Sequence, residues 1–148
     1  MRPLLTVALS AWLGAGLLFA AVVAPAAFRV LPSRALAGAL AGAVLPVLFW
    51  TGAAVGVWAI ILLRRPPARR WALGLALLLA GASLGSQLVV GRAIARVRAS
   101  VGAGFETLPT DDARRVTFGR LHALSVLLLG TGMLSAAGLV VHEIRRHH

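Results

Sequence analysis

Cysteine and lysine are absent, and only four residues are acidic. Without cysteine there is no disulfide, no thiolate nucleophile and no sulfur-based metal site. Without lysine, all fifteen basic residues are arginine, and the formal net charge is +11. Charged residues make up 13% of the chain against 59% hydrophobic. That is too little polar surface to cover a water-soluble domain, so lipid must cover most of the outside. The apolar runs contain no carboxylate, which proton-coupled pumps and cation channels usually keep within a span. A nucleophile elbow, a P-loop and a His-Glu zinc motif are also missing. These absences argue against an enzyme, and no cofactor is implied.

What is present is four long apolar runs. A helix needs about 20 residues to cross ~30 Å of hydrocarbon. Residues 4–24, 36–63, 71–90 and 121–141 meet that length, and none of these runs holds a charged side chain. The expected fold is all-α: an integral membrane four-helix transmembrane bundle, one domain over residues 1–148. Met1-Arg2-Pro3 and Ala24-Pro25-Ala26 imitate a signal peptide and its cleavage site. The first run is too long for an h-region of ~7–15 residues, so it reads as a span. The second run contains Pro46, which removes a helical hydrogen bond. It predicts a kinked, tilted helix or first turns at the interface, with Pro32-Ser33 as the turn and N-cap before it.

The arginines flank the runs, which fits lipid headgroups as partner and argues against nucleic acid. Residues 64–70 form a tight basic turn, whereas the first loop has only Arg29 and Arg34. On the positive-inside rule the basic turn is cytoplasmic. Both termini then face the cytoplasm, in agreement with Arg2, Arg145 and Arg146, and the membrane is expected to be a bacterial inner membrane. The third loop opposes this with Arg92, Arg96, Arg98, Arg114, Arg115 and Arg120. It also holds three of the four acids. Its pattern predicts structure: helix three continues over 91–101, Gly102-Ala103-Gly104 breaks it, and Thr110 caps helix four, which begins near Asp111.

Gly38 and Gly42, Gly52 and Gly56, and Gly81 and Gly85 are Gly-x-x-x-Gly pairs, suited to close helix packing within one bundle or between copies. Pairs on two different helices cannot all serve one core, so a homo-oligomer or a membrane-protein partner is an open expectation. Ser83, Ser86 and Gln87 share a helical face. Gln87 should point inward, as an interhelical hydrogen bond or as the lining of a polar path. His122 and Ser125 open span four beside Arg120. Pro25 and Phe28 end span one at the same level. Gln87 and residues 118–125 should therefore converge with Pro25 and Phe28 at one end of the bundle. His122 would face inward there, and Arg120 would neutralise an anion. A haem needs a second histidine at similar depth, and His142 lies ~30 Å along the same helix. A metal cage lacks ligands as well. Small-solute or metal transport, and a haem- or quinone-binding carrier, stand as alternatives to a binding or accessory module.

Two stretches carry a resemblance. Ala24-Pro25-Ala26-Ala27-Phe28 gives a Pro-x-x-Phe turn after span one. Phe118-Gly119-Arg120-Leu121-His122-Ala123-Leu124-Ser125 opens span four. Over residues 4–141 the chain resembles a bacterial four-helix membrane family related to human transmembrane protein two-hundred-five. It departs at Gly91, where that family tends to carry proline, and at Val126 to Leu129, where an asparagine often follows the serine. The resemblance implies a four-span fold and a membrane location, with function unassigned.

Overall fold

The computed structural model describes residues 2–64 and 70–145. Four helices order the chain: α1 Pro3–Val30, α2 Arg34–Leu63, α3 Arg70–Val101 and α4 Ala113–Arg145. A short 3-10 helix, Gly102–Thr107, links α3 to α4. No strand occurs among the described residues. Each helix has 28 to 33 residues, more than the ~20 that hydrocarbon requires, so the ends reach the headgroup region. The chain runs up, down, up and down, with each helix against its two sequence neighbours and α1 against α4. Both termini therefore lie at one end. Of the basic turn, residues 65–69 lie outside the described residues, as do His147 and His148.

The inward residues explain the packing. In α1 the buried positions up to the π-helical stretch are Leu5, Leu9, Trp12, Gly16 and Phe19, spaced by four and three, a narrow seam, and Ala27 is buried farther on. α3 is lined by small residues, with Ala72, Ala76, Ala80 and Ala82 buried around Leu79. Its neighbours come close as a result. A Cβ on Gly56 of α2 would stand 2.7 Å from the Ala80 nitrogen, so only glycine fits that crossing. The opposite faces are apolar and uncovered: Leu134 is 77% exposed and Leu127 68%. Water would not tolerate so continuous an apolar surface, and a bilayer does. Thr51, Thr131 and Ser135 each donate their hydroxyl to a carbonyl one turn back, which satisfies them without outside partners.

Three local expectations are met. The Ser33 hydroxyl accepts a hydrogen bond from the Leu36 N–H and caps α2. α3 continues through Gly91–Val101. It stops at Gly102, whose φ of +64° is open to glycine and costly for other residues.

Two need correction. The Pro25 turn is not a turn, because α1 runs on to Val30. A π-helical turn at Phe19–Val23 precedes Pro25, and the Ala24 N–H donates to the Phe19 carbonyl. The wider turn accommodates a proline that has no N–H to donate and whose ring would crowd the preceding turn. Helix four is capped by Asp112 rather than Thr110. The Asp112 carboxylate accepts from the Arg114 N–H at 2.8 Å, and the helix starts at Ala113.

Candidate functional site

The centre of the bundle is closed by one residue. Trp12 donates its indole N–H to the Leu48 carbonyl at 2.8 Å. A Cβ on Gly52 would stand 2.7 Å from Trp12 Cζ2 and 2.8 Å from Ser83 Oγ. A Cβ on Gly132 would stand 3.2 Å from Trp12 Cη2. The indole thus fills the space that two glycines leave. Gly52 and Gly56 are spent inside the chain, on Trp12 and on α3. Gly81 and Gly85 meet nothing within 4 Å. Gly81 borders an open apolar groove of about 450 Å³ with Gly74, Leu77, Leu78 and Leu128.

Above Trp12, toward the third loop, α3 makes a second π-helical turn, Ser86–Val90, closed by the Gly91 N–H donating to the Ser86 carbonyl. Ser86 and Ser125 share a buried hydrogen bond at 3.2 Å. Ser83 and Ser86 are thus the inward members of their face, and Gln87 is only half-buried. The sequence predicts Gln87 inward, as an interhelical hydrogen bond or as a polar lining; the interhelical bond is made by Ser86 instead.

The expected convergence is only partial. Ser125 is buried, but Pro25, Phe28, Arg120 and His122 are exposed. His122 does not face inward; it stacks on Phe118, ring centroids 6.3 Å apart and planes 4° apart. The physical reason lies in the helix turn. Ser125 takes the inward position, and His122, three residues earlier, falls on the flank beside Phe118. Pro25 and Phe28 belong to a segment that packs on α2, whereas the start of α4 packs on α3. One end of the bundle thus holds two separate groups of side chains.

A cation occupies the space beside Phe118. The Arg98 guanidinium carbon lies 5.2 Å from the Phe118 ring centroid. Phe105 meets the same ring edge-on at 4.9 Å. Arg98 Nη2 lies 3.2 Å from where a Gly38 Cβ would be, and Nη1 3.7 Å from that of Gly42. This glycine pair therefore makes room for a guanidinium, not for a helix. Arg115 donates to the Leu108 carbonyl at 2.7 Å. Arg114 pairs with Asp112 at 2.8 Å. Hydrogen bonds from Arg114, side chain first, hold the Asp112 carboxyl down at about 2.

The opposite end holds what sequence reasoning missed. His142 and Glu143 are 4% and 2% exposed. The His142 ring meets Trp71 edge-on at 4.7 Å. Glu143 Oε2 is buried and has no hydrogen-bond partner among the described residues. The apolar run ends at Val141, so both residues read as tail. The helix instead continues to Arg145 and keeps this turn inside the bundle, at the level where α3 begins. The usable signal was the lone acid outside the third loop, one turn past a span. Among the described residues, no three metal-ligating side chains gather.

Comparison with curated proteins and with solved structures found no match. A family model does match, over residues 7–102. That stretch takes in nearly all of α1, then α2 and α3 as far as the Gly102 break, and leaves α4 outside. The chain belongs to the family described as Domain of unknown function (DUF4149).

Proposed function

We propose that this protein is a non-enzymatic module of the bacterial inner membrane that binds a ligand or assists a partner, with both termini in the cytoplasm. The observation that carries this reading is the closed centre. Trp12 fills the middle against Gly52, Ser83 and Gly132, and Ser86 and Ser125 satisfy each other. Polar groups left for binding lie at the two ends, as in a clasp or dock rather than a channel. Among the glycine pairs, Gly81 and Gly85 remain open to a helix from a second copy or a partner protein. The orientation rests on the basic residues at 64–70 and at both termini.

One observation favours small-solute transport as a second reading: Glu143 is an ionisable group buried in a membrane bundle. A haem carrier is less well served, since His122 and His142 lie at opposite ends of α4. Native mass spectrometry of the detergent-purified protein, with its visible spectrum, tests the proposal. A colourless preparation holding a small ligand or a protein partner is expected. A Soret band, or solute flux by the protein alone in liposomes, would contradict it.

A further inference from the structure

We propose that the third-loop end carries a binding site for the phosphate of an anionic lipid, built on Arg98. The inference rests on the membrane reading above and adds a ligand class and a place. Arg98 stands eight residues past Val90, where the apolar run ends, or ~12 Å of helix rise. The guanidinium itself lies against Gly38 and Phe118, within three residues of where the second and fourth apolar runs begin, and that level is the headgroup layer, where phosphate is the abundant anion.

The side chain is held as a receptor would be. Phe118 covers the guanidinium at 5.2 Å, and the missing side chains of Gly38 and Gly42 leave it space on α2. Phe105 and His122 pack on the same Phe118 ring and fix it. Arginine brings five N–H donors, and among the described residues Arg98 meets no carboxylate. Asp112, the acid that forms an ion pair nearby, is taken by Arg114. Arg34 stands one turn before Gly38 on the same face of α2. A second arginine thus starts the helix face whose glycines receive Arg98. A phosphate accepts from the Arg98 N–H groups, in the charge-assisted geometry that favours arginine. The surrounding helix suits the interface too. Ile94, Val97 and Val101 are half-buried, whereas Arg92 and Arg96 are exposed.

Magnitudes separate a built site from a diffuse field. Any surface arginine near anionic lipid contributes about 1 kcal/mol, roughly fivefold in binding. A charge-assisted hydrogen-bonded contact contributes about 1.5–3 kcal/mol, roughly 10- to 100-fold. The experiment uses the full chain in zwitterionic detergent, with phosphatidylglycerol or phosphatidylcholine added and bound lipid counted by native mass spectrometry. The wild type is expected to retain phosphatidylglycerol preferentially. Arg98→Gln should lose it at least ~10-fold, and Arg92→Gln, the same charge lost elsewhere on the helix, about fivefold or less. Gly38→Leu keeps every charge but fills the guanidinium's space, and should match Arg98→Gln. Should Gly38→Leu fail to fold by circular dichroism, Arg98→Lys replaces it, with a loss between the wild type and Arg98→Gln. Equal losses in Arg92→Gln and Arg98→Gln would overturn the site in favour of a diffuse field. Displacement of the lipid by inorganic phosphate would overturn the lipid as ligand. A chain that stays soluble without detergent would sink the membrane reading as well, whereas equal lipid retention by a detergent-dependent chain sinks only this site.

Discussion

At Gly56 a Cβ would touch the Ala80 backbone at 2.7 Å, whereas at Gly81 it would touch nothing. The two glycines look alike in sequence, and only the direction each faces separates them. Gly56→Leu has no flexible neighbour to push aside and should cost about 1–3 kcal/mol or more. Gly81→Leu should be nearly neutral, and unfolding titrations in mixed SDS micelles would show the contrast. Trp12→Phe removes the donor to Leu48 and also shrinks the ring that fills the space beside Gly52 and Gly132, so it should cost more than the ~1 kcal/mol of the hydrogen bond alone, about 2–3 kcal/mol. Glu143→Gln removes a buried ionisable group whose Oε2 has no partner among the described residues. Stability should stay level or rise by up to about 2 kcal/mol. A loss of more than about 3 kcal/mol would instead mean that the carboxylate is paired in the membrane.

Elements were legible where the signal is local. Ser33 at the start of α2 and Gly102 at the end of α3 were readable because a cap and a positive φ depend on the residue itself. The two π-helical turns were not legible, since they arise where a helix must accommodate Pro25 or turn Ser86 toward Ser125. The same limit explains the site. Hydrophobic periodicity locates Ser125 on an inward face, but no pattern along the chain tells that Gly38 receives Arg98 from another helix. The Asp112 cap offers a pH test at this scale. Its folded value of about 2 lies below the ordinary 3.8. Its contribution is therefore complete above 3.8 and is lost as pH falls toward 2. The Arg114 amide resonance should titrate with a midpoint near 2; a midpoint near 3.8 would mean that the cap does not form.

Over the whole molecule, the sequence yields the fold class and the number of spans because each span must satisfy its own backbone in lipid. It places partners and ligands less well, because arginines crowd both ends. The central claim is a four-helix membrane bundle with both termini and the 64–70 turn on one side. A chain without cysteine can be probed directly with single cysteines and a membrane-impermeant maleimide in intact cells. Ser33→Cys and Ser100→Cys should label from outside. Ala68→Cys and His148→Cys should label only after the membrane is opened, and Ala80→Cys, buried in mid-span, should resist in both states. Labelling of Ala68→Cys from outside together with Ser100→Cys would contradict the account, because the two sites would then share a side of the membrane.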